Sequence, residues 1–189
     1  MQRLPVSYAL VAAVAILGTV SDLSAADNSI TAKKDSDAKI KAAMAKLPEA
    51  DRKLAEAQRY CATLPENRLG SMGPPVKLEV GGKTVFLCCA GCRDDALADP
   101  KATLAEAEKL KKVTIALGKL KEKDRVLAEQ QRYCPVMEDS RLGSMGTPVR
   151  IELKGKPVFL CCEGCREEAE ADPEATLKQV EKLTKPKSK

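Results

Sequence analysis

Histidine is absent from all 189 residues, which removes every chemistry that needs an imidazole: Ser-His-Asp hydrolysis, Cys-His proteolysis and His-ligated zinc or iron. Any metal must then sit on thiolate, thioether or carboxylate. Tryptophan is also absent, and Tyr and Phe number only three and two, so the large side chains that fill an extensive core are missing. Long hydrophobic runs are confined to Tyr8–Gly18, YALVAAVAILG, shorter than the roughly 20 residues of an ordinary transmembrane span. No phosphate loop, paired-carboxylate motif or nucleophile elbow occurs, and the chain is expected to be non-catalytic. Charge of one sign is scarce as well. The net charge is +5, but basic and acidic residues alternate along stretches such as LAEAEKLKK, the pattern of a solvated helix face rather than a nucleic-acid surface.

What is there is cysteine, eight of them. The length allows one ordinary domain or two small ones, and a unit of about 40 residues cannot offset its chain entropy without a covalent or metal staple. FLCCAGC at Phe86–Cys92 and FLCCEGC at Phe159–Cys165 each put three cysteines in five positions. Sliding the chain against itself by 73 residues aligns the halves without a gap. QRYC at Gln58 and at Gln131, RLGSMG at Arg68 and at Arg141, and ADP at Ala98 and at Ala171 coincide, while KIKAAMAKL pairs more weakly with KVTIALGKL.

The organisation follows. Residues 1–26 read as a signal peptide: Arg3, the apolar run, then small residues before a cleavage point at Ala25 or Ala26. No other segment is apolar enough to cross a bilayer, so no transmembrane segment is expected in the mature chain. A helical leader spans 27–57, the first module 58–104, a helical spacer 105–130, the second module 131–177 and a basic tail 178–189 ending in KPKSK. Ile40, Met44, Leu47 and Leu54, and again Leu104, Leu110, Leu117 and Leu120, recur at helical spacing and predict packing stripes. Pro48 is suited to opening a second leader helix. Lys121 stands at the equivalent place, which predicts one long helix from Pro100 to about Arg132, interrupted only at Gly118.

Within each module, two β-rich runs joined by Gly81-Gly82 or Lys154-Gly155 predict a tight hairpin. The paired cysteines close its second strand, and the last cysteine opens a short acidic helix. Asp99 and Asp172 are placed as N-caps before a proline. The fold class is therefore α+β: two small hairpin-plus-helix modules joined and flanked by α-helical spacers. In RLGSMG the glycines supply turns and Met72 or Met145 packs beneath the hairpin, the alternative being that these thioethers join a soft metal.

The cysteines are the candidate metal ligands: Cys61, Cys88, Cys89 and Cys92 in the first module, and Cys134, Cys161, Cys162 and Cys165 in the second. Four thiolates complete a tetrahedral zinc site, and three, with or without a methionine, suit copper(I). One Zn2+ or Cu+ per module is expected. A Cys-x-x-Cys step at a helix start also favours the thiolate. Two other readings stay open. An even set of cysteines in an exported chain can pair as disulfides, Cys61 with Cys88 and Cys89 with Cys92. Cys89-Ala-Gly-Cys92 after a strand can also serve thiol-disulfide exchange, although a module of this size lacks the βαβ frame of thioredoxin-like proteins.

FLCCAGCRDDALADPKATL, FLCCEGCREEAEADPEATL and CPVM at Cys134–Met137 resemble YHS and TRASH domains over about 45 residues of each repeat. The Tyr-His-Ser element that names YHS is missing, and the first cysteine interval is longer than TRASH domains usually show. The resemblance implies a treble-clef-like fold. It implies Cys61, Cys88 and Cys92, and Cys134, Cys161 and Cys165, as ligands, with Cys89 and Cys162 additional. It further implies a role in heavy-metal sensing, trafficking or resistance, with an exported or membrane-associated protein as a possible partner.

Overall fold

A computed structural model describes residues 35–184, so the expected signal peptide and the KPKSK end lie outside the described residues. From Ser36 on, the described chain forms one compact unit. A helix through 35–44 (α1) is followed by α2 (Glu49–Gln58), β1 (Val76–Val80), β2 (Lys83–Leu87), a 3-10 turn at Ala90–Cys92, α3 (Arg93–Ala98) and α4 (Pro100–Gly118). The series then repeats as α5 (Glu122–Gln131), β3 (Val149–Leu153), β4 (Lys156–Leu160), a 3-10 turn at Glu163–Cys165, α6 (Arg166–Ala171) and α7 (Pro173–Thr184). The architecture is α+β, as expected. No helix among the described residues is long and apolar enough to cross a membrane.

Each hairpin is an isolated two-stranded antiparallel sheet, with Val76 opposite Leu87 and Val149 opposite Leu160. The turns carry two consecutive positive φ values, 54° and 75° at Gly81-Gly82, 49° and 75° at Lys154-Gly155, the geometry that matches the right-handed strand twist. A two-stranded hairpin is marginal alone, and here α-helices cover it. β2 and β4 are buried at three consecutive residues, Val85–Leu87 and Val158–Leu160. Asp99 ends α3 and caps α4, its carboxylate accepting the Ala102 N–H at 2.9 Å ahead of Pro100; Asp172 does the same for Ala175.

The long helix expected from Pro100 to Arg132 is two helices, the first ending at Gly118, the expected point of interruption. Lys121 takes φ −58° and ψ 148°, nearly the −51° and 147° of Pro48, and α5 starts behind it as α2 does behind Pro48. Proline enforces the break in the first copy. In the second, Lys121 adopts the same backbone without a proline ring, three residues after Gly118 ends α4. Pro48 itself precedes the helix, its carbonyl accepting the first helical bond from Arg52 at 2.8 Å.

Two small cores result. The first gathers Ile40, Met44, Leu69, Leu78, Val85, Phe86 and three cysteines, with Leu47 and Leu104 against it. The second gathers Val113, Leu117, Leu142, Ile151, Val158, Phe159 and three cysteines, with Leu120 against it. The helix α4 serves both, through Leu104 and Ala107 at its N-terminal end and Val113 and Leu117 further on. Leu54 departs from the expected stripe, being 48% exposed.

RLGSMG divides differently from expectation. Gly70 (φ +90°) and Gly143 (φ +92°) lie against helix backbone, where an added Cβ would stand 3.0 Å from the Ile40 carbonyl oxygen and 3.1 Å from that of Val113. Met72 and Met145, by contrast, do not pack beneath the hairpins; they are 60% and 57% exposed. The close approach is made by glycine backbone, which leaves no space there for a long side chain. Gly143→Ala, combining a left-handed φ with a clash against unyielding backbone, is expected to cost about 2–4 kcal/mol in urea unfolding, and Met145→Ala under about 0.5 kcal/mol.

The modules are joined by charge. Arg59 and Arg132 sit at φ 66° in tight turns closed by the Tyr60 N–H to Gln58 carbonyl and Tyr133 N–H to Gln131 carbonyl bonds, both 2.8 Å, a strained three-residue turn. Arg59 reaches Glu129 at 2.6 Å, and Arg132 reaches Glu66 at 2.6 Å, where the Tyr133 hydroxyl also donates. Burial pushes the Glu66 carboxyl up, but Tyr133 and Arg132 together hold it below its ordinary value. The Arg141 guanidinium stacks 4.3 Å from the Tyr60 ring centroid and 5.9 Å from that of Tyr133.

Candidate metal centres

Three chain segments deliver the sulfurs of each centre. Cys61 follows the Arg59 turn and the Tyr60–Arg68 bridge, its N–H donating to the Asn67 carbonyl at 3.0 Å. Cys88 comes directly after β2, and Cys92 closes the 3-10 turn that leads into α3. Cys134, Cys161 and Cys165 are placed identically, with Ser140 in the part of Asn67. A glutamine holds the segments together. Buried Gln58 donates from Nε2 to the carbonyls of Tyr60 (2.8 Å) and Phe86 (2.6 Å), and its Oε1 accepts the Phe86 N–H at 2.9 Å. Gln131 makes the same three bonds to Tyr133 and Phe159. Each amide thus splices the segment before the first cysteine to the strand carrying the second, two residues from the site.

Within each set the three Sγ atoms lie within 4.8 Å of one another, and all six residues are buried. Cys88 and Cys92 are 3.6 Å apart, as are Cys161 and Cys165. Two sulfurs at about 2.3 Å from a common tetrahedral zinc stand about 3.8 Å apart, so these sets fit an ion with little movement. A disulfide needs about 2.04 Å, and all eight cysteines are free thiols. The donor set itself, three thiols without imidazole or carboxylate, is the chemistry of a soft or borderline cation.

Burial dominates the electrostatics of the two triads. Burial pushes the Cys88, Cys92 and Cys165 thiols up, and Cys161 to about 11, so at Cys92 and Cys165 burial outweighs the thiolate-favouring effect expected of the helix start. Cys61 differs: burial raises it, but the Thr63 hydroxyl at 3.4 Å and nearby backbone N–H groups bring it below its ordinary value. A cation is what can hold three such sulfurs as thiolates together, and its binding must release protons.

Cys89 and Cys162 stand apart from the buried triads. Both are partly exposed, with Sγ 3.9 Å from Cys92 and from Cys165 respectively. Hydrogen bonding from Cys92 or Cys165, aided by backbone N–H groups of the 3-10 turn, lowers both thiols. In the ion-free protein, iodoacetamide at neutral pH is therefore expected to label Cys89 and Cys162 first, at least about tenfold faster than the buried six, as read by peptide mass spectrometry. Equal rates at all eight would refute this ordering.

The methionines fall out differently from expectation. Met72 is exposed, its Sδ 3.7 Å from the Asn67 amide nitrogen, which also lies 3.7 Å from Cys88 Sγ. Met137, not singled out by its spacing, has its Sδ 3.8 Å from Cys161 Sγ. Gln58 and Gln131 carry no local signal of their role, although QRYC contains them in both copies. Comparison of the chain with family models, with curated proteins and with solved structures finds no match.

Proposed function

We propose that the chain is an exported, non-catalytic metal-binding protein with two tandem YHS/TRASH-like modules. Each takes one zinc or copper(I) ion on cysteine thiolates, for metal buffering or trafficking or as a metal-stabilised surface for an exported or membrane-associated partner. The observation that carries this reading is the duplicated set of three buried, free thiols within 4.8 Å. Buried thiols in the cores of two aromatic-poor modules offer a cation both the ligands and a dry site. Cys89 and Cys162, beside the buried sulfurs but open to solvent, are suited to supply a fourth ligand or to receive an arriving ion. The apolar run before Ala25 supports export.

Native mass spectrometry with metal analysis, on protein purified without reductant, tests the reading. Two ions per chain, with all eight thiols titratable after chelation, is the expected result. A mass lower by eight hydrogens with no ion overturns it in favour of a disulfide scaffold. The partly exposed, acidified Cys89 beside Cys92 supports thiol-disulfide exchange as a second reading; it predicts turnover in an exchange assay that Cys89→Ser with Cys162→Ser abolishes.

A further inference from the structure

The two centres are not chemically alike, and the difference lies in the loop after the first cysteine. In the first module that loop reads Ala62-Thr63-Leu64-Pro65-Glu66-Asn67, and in the second Pro135-Val136-Met137-Glu138-Asp139-Ser140. The first surrounds its sulfurs with hydrogen-bonding groups, Thr63 Oγ1 3.4 Å from Cys61 Sγ and Asn67 Nδ2 3.7 Å from Cys88 Sγ. The second replaces them with Val136 and Ser140 and brings a sulfur instead. Met137 Sδ lies 3.8 Å from Cys161 Sγ. That is the separation of two donors on one ion with metal–sulfur bonds of about 2.3 Å. Leu64, at the matching place in the first module, has no donor atom.

We infer that the second centre is a site for a soft monovalent ion, copper(I) or its probe silver(I), held by Cys134, Cys161, Cys165 and the Met137 thioether, whereas the first lacks this preference. This rests on the reading that the cysteine triads hold metal. A thioether is a neutral, polarizable donor that adds affinity for copper(I) and little for zinc. Cys162 does not account for the difference, because Cys89 occupies the same position in the first module. Met137 is 44% exposed, so exchanging it for leucine leaves the core intact.

The test uses the reduced full chain, titrated with copper(I) against a chromophoric chelator and separately with zinc, for wild type, Met137→Leu and the reciprocal Leu64→Met. Met137→Leu is expected to weaken one of two copper(I) sites on the order of tenfold with both zinc affinities unchanged, and Leu64→Met to strengthen the other site. In methyl-labelled protein, silver(I) is expected to shift the Met137 resonance and leave those of Met44, Met72 and Met145 in place. Two copper(I) sites unaffected by Met137→Leu, with an unmoved Met137 methyl, overturn the inference and leave the metal reading standing. A wild-type chain that binds neither ion overturns both.

Discussion

Cys161→Ala is expected to remove one of two bound ions while the other stays on Cys61, Cys88 and Cys92; Cys88→Ala does the converse, and the double variant binds none. The triads belong to separate cores, with Cys88 in one and Cys161 in the other, so loss at one leaves the other assembled. At free ion one hundred times its dissociation constant, each site adds about 2.7 kcal/mol to the folded state. For a chain of this length that corresponds to about 5–10 °C in Tm. Calorimetry with saturating ion and after chelation separates this from the packing cost of the substitution itself. That cost, about 1 kcal/mol for a buried atom removed from a small core, persists in the ion-free comparison. Equal wild-type Tm values in the loaded and chelated states would show that the sulfurs hold no ion in the folded protein.

Gln131→Leu is the second large effect. The side chain is 3% exposed and makes three hydrogen bonds to main chain, two to carbonyls and one from the Phe159 N–H. Leucine fills the space but strands the buried N–H and carbonyl of Phe159, each costing about 1–3 kcal/mol when unpaired, and removes one bond from the part-buried Tyr133 carbonyl. A total of about 3–5 kcal/mol in urea unfolding of the ion-free protein is the expected outcome. Since Phe159 stands two residues before Cys161, alkylation of Cys161 should accelerate as the strand loosens. A cost under about 1 kcal/mol with unchanged labelling would mean that water replaces the amide.

The contrast between these two sites explains what could be read directly. The cysteine spacing, the Gly81-Gly82 turn and the Asp99-Pro100 cap are local features, in which a few adjacent residues fix the backbone. Gln131 pairs with a residue 28 positions away, and Arg132 and Tyr133 with Glu66 at 66 and 67 positions. Nothing local marks a glutamine as a buried splice between a helix end and a strand. The exposed Met72 and Met145 illustrate the same limit: their motif is repeated for the sake of Gly70 and Gly143, whose backbones touch Ile40 and Val113.

By itself the sequence determined the duplication, the two hairpins, the aspartate caps and the candidate sulfurs, because each is set by short-range geometry and by residue types available nowhere else in a chain without histidine. Only the tertiary structure decided that α5 restarts behind Lys121 as α2 does behind Pro48 and that α4 belongs to both cores. It also decided which six of eight sulfurs are buried together, and that Met137 rather than Met72 or Met145 stands beside them. Those outcomes depend on which surfaces meet once helices and hairpins pack, and burial, unlike spacing, is a property of the assembled fold.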